Sequence, residues 1–184
     1  MDLNYATVGA TDVAERHWSP ARAGFRTHER SVVIGHRTAA WEEAATAVMA
    51  WGVKTRSGFE VVPAGGADRT VRLGQDYTLV AHVGPLRIRE PVQVVATVRE
   101  HDRCGFAYGT GRGHPVSGEE AFVVWTDERG RVWLTLRSLT RPSTGIWRVL
   151  FPAILMTQRW FRFRYQRALC GPESRSMRGR SGRA

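Results

Sequence analysis

Cysteine is scarce in this chain of 184 residues, which has only two, Cys104 and Cys170, far apart in the sequence. A disulfide framework needs several cysteines at close spacing, and a structural zinc site needs paired cysteines or a cluster of cysteine and histidine. Neither pattern occurs. The phosphate-binding loop, the dinucleotide fingerprint and the Ser-His-Asp order are missing too. We therefore expect no metal site and no cofactor.

Long apolar runs are also missing. The most apolar stretch, 146–156, is interrupted by Arg148 and Pro152, and a membrane-spanning helix needs about 20 apolar residues. The opening sequence MDLNYATVGA lacks the basic start and the apolar run that are typical of a signal peptide. We therefore expect a cytoplasmic protein without a membrane span.

Lysine occurs once, at Lys54, although the chain has 27 basic and 17 acidic residues and a net charge of +10. The other basic residues are arginines, scattered from Arg16 to Arg183. A nucleic-acid-binding domain usually gathers its cations on one face or in a recognisable motif. We therefore expect no nucleic-acid partner, and a basic RNA-associated protein is the third-ranked alternative.

Hydrophobic periodicity predicts one α+β domain over 1–170 and a basic disordered tail over 171–184. From 58 to 139 the apolar residues alternate with period two, while glycine and aspartate punctuate the gaps. The run DERG at 127–130 is typical of a hairpin turn. Consecutive short strands joined by tight turns indicate an antiparallel sheet.

Two helices flank these strands. A stripe at helical spacing over 38–51 predicts the first helix, with Thr38 as its N-cap and Gly52 at its C-terminal end. The last element, 143–169, is predicted as a long helix that starts after Pro142. A curved antiparallel sheet gripping one long C-terminal helix leaves a cleft, and we expect this cleft to be an internal hydrophobic pocket.

The C-terminal helix carries two apolar stripes on opposite sides. The first has Gln158 at its centre, a buried amide that needs partners from the sheet or from a ligand; its members are Trp147, Phe151, Ile154, Phe161, Tyr165 and Leu169. The second consists of Val149, Ala153, Met156, Trp160 and Phe163. One stripe packs on the sheet, and the other is a candidate homodimer interface.

The most unusual segment is FAYGTGRGHPVSGEEAF at 106–122. It resembles the signature of the DUF1990 family, also called UPF0548, in which a YGT…GHPxxGEExF stretch recurs. The start YATVGAT at 5–11, and the segments around 41–59 and 138–169, resemble that family in the same order. The resemblance implies a helix-grip fold with a pocket, similar to polyketide cyclases, lipid carriers and hormone-binding proteins, but it supplies no reaction.

Glu119 and Glu120 are the leading catalytic candidates. Adjacent residues of a strand point to opposite faces, so we expect one glutamate in the cleft and the other in solvent. The residues at every second position from Glu119 are apolar, and so are those at every second position from Glu120. The alternation therefore leaves open which glutamate lies inside. A buried glutamate without a cation would have a raised pKa and could act as a general acid; the alternative is a salt bridge to an arginine.

Two further residues complete the predicted catalytic set. His114 could exchange a proton near neutral pH, or its imidazole could only tie the glycine-rich turn together. Arg141 is the expected partner of the inward carboxylate, or it could orient an anion or a carbonyl. We assign substrate binding to Tyr108, Gln158, Trp41, Trp51, Trp125, Tyr165 and Arg112.

These features predict a cofactor-independent cyclase or isomerase acting on a bulky hydrophobic natural product, such as a polyketide. Aromatic walls stabilise a developing cation, so acid-catalysed spiroacetal formation or epimerisation is a candidate reaction. The alternative is a non-catalytic carrier or sensor of a hydrophobic small molecule.

Overall fold

The computed structural model describes residues 1–19, 24–66, 68–84, 86–143 and 146–170, with side chains except at 83, 86, 146–154, 157 and 158. The predicted tail, 171–184, lies outside the described residues, and so does the side chain of Gln158.

Within the described residues, seven strands form one sheet in the order β1-β7-β6-β5-β4-β3-β2. All six neighbouring pairs are antiparallel. Strands β2 to β7 form a meander, and β1 pairs with β7 at the other edge. The strands are β1 Arg26–His36, β2 Phe59–Pro63, β3 Asp76–Val83, β4 Leu86–Arg99, β5 Arg103–Thr110, β6 Val116–Thr126 and β7 Arg131–Pro142.

Three α-helices accompany the sheet in the described part of the chain: α1 Arg37–Met49, α2 Gly52–Thr55 and α3 Ile146–Ala168. A short 3-10 helix, Ala64–Gly66, follows β2. The predicted sheet and C-terminal helix are confirmed. Within the described residues, no helix combines the length and the apolarity that crossing a membrane requires.

The turn between β6 and β7 forms as its sequence predicts. Gly130 adopts a φ of 66°, a left-handed conformation that glycine reaches without a steric penalty. The Asp127 carboxylate accepts hydrogen bonds from the backbone N–H groups of Arg129 and Arg131, both at 3.0 Å. These contacts close the hairpin and fix the register of β6 against β7.

The central strands β5 and β6 are buried on both faces. On the inner face, α1, α2 and α3 cover a cluster of aromatic side chains around the fully buried Trp51, whose ring centroid lies 4.8 Å from Tyr77 and 4.6 Å from Phe106. On the outer face, Val13 of the N-terminal segment packs with Ala121 and neighbouring small residues. The meander therefore has no solvent-exposed side along β5 and β6.

Some predicted element boundaries are wrong. Helix α1 follows His36, which makes no side-chain capping bond, so Thr38 is not the N-cap. Gly52 begins α2 instead of ending α1. A side chain is disfavoured at this position because a Cβ there would lie 2.6 Å from the Ala47 carbonyl oxygen. Pro142 is the last residue of β7, and α3 begins at Ile146.

Candidate functional site

Glu119 and Glu120 have separate environments because they lie on opposite faces of β6. Glu119 is on the outer face and 3% exposed, so the expectation that one glutamate faces solvent is wrong. Its carboxylate accepts four hydrogen bonds from the N-terminal segment: from the Tyr5 hydroxyl at 2.8 Å, the Gly9 N–H at 2.6 Å, and the Thr11 N–H and hydroxyl, each at 3.0 Å. This glutamate fastens the N-terminal segment to the sheet.

Glu120 lies on the inner face, in line with Tyr108 on β5 and Ser138 on β7. Its carboxylate is 2.7 Å from the Lys54 ammonium and accepts a hydrogen bond from the Tyr108 hydroxyl. Burial raises the pKa of Glu120, but Lys54 and the hydrogen bonds outweigh it and lower that pKa below its ordinary value. The carboxylate is ionised at neutral pH, and its cation is the single lysine instead of an arginine.

Lys54 is the residue around which the inner site is organised. Helix α2 points its side chain toward the sheet, where it is 2% exposed and Nζ donates to the Tyr165 hydroxyl at 2.6 Å. Cations are stabilised by the faces of aromatic rings within about 6 Å. The distances from Nζ to ring centroids are 4.5 Å for Phe59 and Tyr165, 5.2 Å for Tyr108 and 5.6 Å for Phe122.

Glu90 is a second carboxyl of the inner site, and sequence reasoning missed it. It lies on β4 opposite Leu79, with 19% of its side chain exposed. Burial raises the pKa of Glu90 to about 7, a rise that Lys54 opposes and the negative charge of Glu120 reinforces. Glu90 therefore keeps its proton up to about pH 7, where an ordinary glutamate has already lost it.

His114 links the glycine-rich turn to Glu90. Its Nδ1 accepts a hydrogen bond from the Val116 N–H at 3.1 Å, which is the turn-tying role considered from the sequence. Its Nε2 lies 3.7 Å from a Glu90 carboxylate oxygen. Burial, together with the Lys54 charge, lowers the pKa of His114 to about 3. The imidazole is neutral at physiological pH, with its proton on Nε2.

A third group lies near Glu120, where α3 crosses β1 and β7. Arg162 donates from Nη2 to the Ser138 hydroxyl at 2.9 Å, and His28 is the register partner of Ser138 on β1. Burial lowers the pKa of both His28 and Arg162. His28 Nε2 and Arg162 Nε are buried without a hydrogen-bond partner in the part of the chain that the structure describes. An oxygen atom of a ligand would satisfy the arginine N–H.

The predicted site residues divide between the two faces. The inner cluster contains Tyr108, Trp51, Tyr165, His114 and Glu120. Glu119, Arg141, Trp125 and Arg112 lie outside this cluster, and the side chain of Gln158 is not among those described.

Arg141 is on the outer face, where it donates to the Ser117 hydroxyl at 3.2 Å and lies 4.8 Å from the Phe25 ring centroid. The expectation that it pairs with the inward carboxylate is wrong, because its register on β7 sends its side chain away from Glu120. Trp125 is also on the outer face, stacked on Trp133 at 5.4 Å.

Trp41 and Arg112 lie at the surface. Trp41 lines an open groove of about 540 Å³ between α1 and the β4–β5 hairpin, together with Met49 and Cys104. The Arg112 side chain is 83% exposed and lies 3.7 Å from the carboxylate of Asp2. Trp41 is partly buried and packs against the inner cluster, whereas Arg112 is exposed.

A signal for Glu90 does exist in the sequence. It shares strand parity with Ile88, Val92 and Val94, so it is a carboxylate in an otherwise apolar inward stripe. Lys54 gives a compositional signal, because it is the single lysine among the 27 lysine and arginine residues of the chain. Among the described residues, no group of three histidine, cysteine or acidic side chains could hold a metal ion.

An antiparallel sheet that closes over aromatic side chains with a C-terminal helix is the helix-grip architecture, and the described geometry places the protein in that class. The chain belongs to the DUF1990 family, whose sequence profile, described as a domain of unknown function, matches residues 4–168. The family inferred from the 106–122 motif is confirmed.

One relative shares the family, and two solved structures share the fold. A UPF0548 protein of Deinococcus radiodurans is 33% identical over 153 residues, which cover 78% of this chain and 76% of the relative. A hypothetical protein of Helicobacter pylori has a similar structure, with a TM-score of 0.62 and 8% identity over 83% of this chain and 89% of its own. The Zhui aromatase/cyclase of Streptomyces sp. R1128 gives a TM-score of 0.54 and 15% identity over 79% and 91% of the two chains.

Proposed function

We propose that this protein is a cofactor-independent cyclase or isomerase that acts on a bulky hydrophobic natural product between the inner face of the sheet and α3. The observation that carries the proposal is a pair of carboxyl groups, Glu90 and Glu120, whose pKa values are displaced in opposite directions within one aromatic cluster. Two titratable groups whose environments shift their pKa values in opposite directions are the usual arrangement for an acid and a base in one site.

Glu90 takes the role of the general acid, in place of the Glu119 or Glu120 expected from the sequence. Proton transfer is most efficient when the pKa of the donor lies near the working pH, and that of Glu90 is about 7. Its carboxyl would give its proton to an ether or hydroxyl oxygen of the bound molecule. His114, with its proton on Nε2 and 3.7 Å from Glu90, would hold the carboxyl in position.

Glu120 remains a carboxylate throughout this reaction. Its charge is already paired with Lys54, so the stabilisation of an oxocarbenium ion would fall to the faces of the Tyr108 and Phe122 rings. In the epimerisation of a spiroacetal, Glu90 protonates a ring oxygen, the C–O bond breaks to give the oxocarbenium ion, and the same hydroxyl closes on the other face. The proton then returns to Glu90, so the reaction consumes no co-reactant.

The Zhui aromatase/cyclase supports this proposal only because its fold is similar. A shared fold does not by itself imply a shared reaction. The positioning of the substrate would fall to Lys54, Tyr165 and Arg162. Arg162 Nε is a buried donor whose partner could be a ligand oxygen.

An epimerisation assay on a bulky spiroacetal, read by chiral chromatography, tests the proposal. Wild type should accelerate interconversion, and Glu90→Gln should slow it by about 10²–10⁴-fold, the usual contribution of a positioned acid. Glu60→Gln is the matched control, because Glu60 is a half-exposed glutamate on β2 paired with Arg87. Equal rates for wild type and Glu90→Gln would remove Glu90 from the chemistry.

A second candidate is a carrier or sensor that binds a hydrophobic molecule without changing it. The observation that favours it is that Lys54, Glu120, Tyr108 and Tyr165 already satisfy one another by hydrogen bonds. A carrier would bind the spiroacetal with similar affinity as wild type and as Glu90→Gln, and neither protein would convert it.

A further inference from the structure

Helix α3 turns large apolar side chains toward solvent. Met156 is 71% exposed, and Trp160 and Phe163 are each 52% exposed. The spacing of these three residues places them on one face of a helix. The opposite face, with Phe161 and Tyr165, is buried in the inner cluster. One apolar face is enough for the helix to pack against its own sheet, so the second face is not explained by that packing.

The exposed face is bordered by positive charge. Over its 23 residues α3 contains five arginines and no acidic residue. The Arg164 guanidinium lies 4.7 Å from the Trp160 ring centroid, and that of Arg167 lies 4.0 Å from the Phe163 ring centroid. Arg159, next to Trp160, is exposed as well. The residues that follow, 171–184, add four arginines against one glutamate in the sequence.

We propose that the face formed by Met156, Trp160 and Phe163, with Arg159, Arg164 and Arg167 around it, binds the surface of an anionic lipid bilayer. A helix of this kind lies in the plane of the interface, with its aromatic side chains below the headgroups and its arginines at the phosphates. Tryptophan suits that depth because its ring is apolar and its N–H is polar.

Charge complementarity selects the bilayer over a second copy of the chain. A homodimer through this face would bring the arginines of two helices together without an acidic side chain on either one. Like charges held together in this way oppose association. An anionic surface instead neutralises them, and each arginine near such a surface contributes about 1 kcal/mol.

This docking does not depend on the proposed chemistry, since the side chains involved point away from the inner cluster. It would nevertheless place the helix that covers the cleft against the bilayer, where a hydrophobic ligand would dissolve. Trp160 and Phe163 are half-exposed and are not members of the buried core, although the Trp160 ring lies 4.8 Å from that of Phe161.

Flotation of the full-length protein with lipid vesicles tests the proposal. Binding is expected to vesicles of phosphatidylcholine mixed with phosphatidylglycerol, not to phosphatidylcholine alone, and it should weaken as salt is added. The double variant Trp160→Ser, Phe163→Ser should bind at least about tenfold more weakly. Each of Arg164→Gln and Arg167→Gln should reduce binding by about fivefold.

Two matched controls separate this face from general surface properties. Leu73→Ser removes an apolar side chain that is 66% exposed away from α3, and Arg129→Gln removes an exposed arginine of the β6–β7 turn. Both variants should bind the mixed vesicles as wild type does, and all variants should keep the wild-type thermal midpoint.

Other results would overturn the proposal. Failure of the wild type to bind the mixed vesicles would do so, and so would equal losses in the control variants. Sedimentation equilibrium that gives a dimer abolished by Trp160→Ser, Phe163→Ser would assign the face to a second copy. Tighter binding to a single-stranded oligonucleotide than to the vesicles, lost in the same variant, would assign it to nucleic acid.

Discussion

The Lys54 ammonium lies 2.7 Å from the Glu120 carboxylate, beneath aromatic rings on the inner face of the sheet. Both members of this pair are largely removed from water. A buried pair of this kind is costly to break, because the partner left behind is an uncompensated charge. The pair therefore holds the short helix α2 against β6. Lys54 also lowers the pKa of Glu120 and so keeps that carboxylate ionised.

Replacing Lys54 with methionine should lower the free energy of unfolding by about 3–5 kcal/mol, since it leaves the Glu120 carboxylate buried and unpaired. Urea denaturation measures this change. Adding Glu120→Gln to Lys54→Met should restore part of the loss, with a coupling free energy above about 1 kcal/mol.

The control for this pair is Arg56, the residue that follows the same short helix. Arg56 pairs with Glu43 at 3.9 Å, with both side chains well exposed, and Arg56→Met should cost less than about 1 kcal/mol. Additive effects of Lys54→Met and Glu120→Gln would contradict the coupling assigned here.

Glu119 should act on the N-terminal segment and leave the inner site unchanged. Glu119→Ala removes the acceptor of four hydrogen bonds, so we expect a loss of about 2–4 kcal/mol in the free energy of unfolding. Faster amide hydrogen exchange at Gly9 and Thr11 would accompany it. Unchanged exchange in this segment would show that other contacts hold it in place.

Glu90 gives the stability of the protein a specific pH dependence. Its pKa is raised from 4.5 to about 7 in the folded state, so the folded state binds the proton more tightly than the unfolded state does. The resulting stabilisation is complete below pH 4.5 and is lost as the pH rises through 7. Relative to wild type, Glu90→Gln should therefore gain about 3 kcal/mol in the free energy of unfolding between those limits.

Denaturant unfolding of both proteins across this pH range measures the difference. The free energy of unfolding of the exposed Glu60→Gln variant should change with pH as that of wild type does. If the curves of wild type and Glu90→Gln are parallel, then Glu90 titrates in the folded state as it does in the unfolded chain.

His114 should show the opposite slope. Its pKa is lowered from 6.5 to about 3 by burial and by Lys54, so its neutral form belongs to the folded state. The corresponding stability is present above pH 6.5 and is lost as the pH falls toward 3. His114→Asn keeps an acceptor for the Val116 N–H but cannot be protonated, and its unfolding free energy should fall less on acidification. A variant as acid-sensitive as wild type would contradict this role.

The sequence was sufficient for the elements with a strong periodic pattern. The period-two stripes predict β3, β4, β6 and β7, because most inward positions of these strands are apolar, and the helical spacing of apolar residues predicts α3. Strand β1 was missed because it is an edge strand in which, among described side chains, only Val32 and Ile34 are buried. Its pairing with β7 is long-range and leaves little local trace.

The site was harder to predict than the fold. Parity could not orient Glu119 and Glu120, because the N-terminal segment covers the outer face and makes both stripes apolar. The cation for Glu120 comes from α2, a helix of four residues with no periodic signal. Glu90 and Lys54 come together only through the tertiary fold.

The most direct test of the central claim is a carbon NMR titration of the glutamate side-chain carboxyl groups, with Glu90→Gln and Glu120→Gln used to assign the two signals. The Glu90 signal should titrate with a pKa of about 7, while the Glu120 signal should titrate below the ordinary value of 4.5. Two carboxyl groups that both titrate at the ordinary value would contradict this prediction, and would leave the inner cluster without an acid and a base.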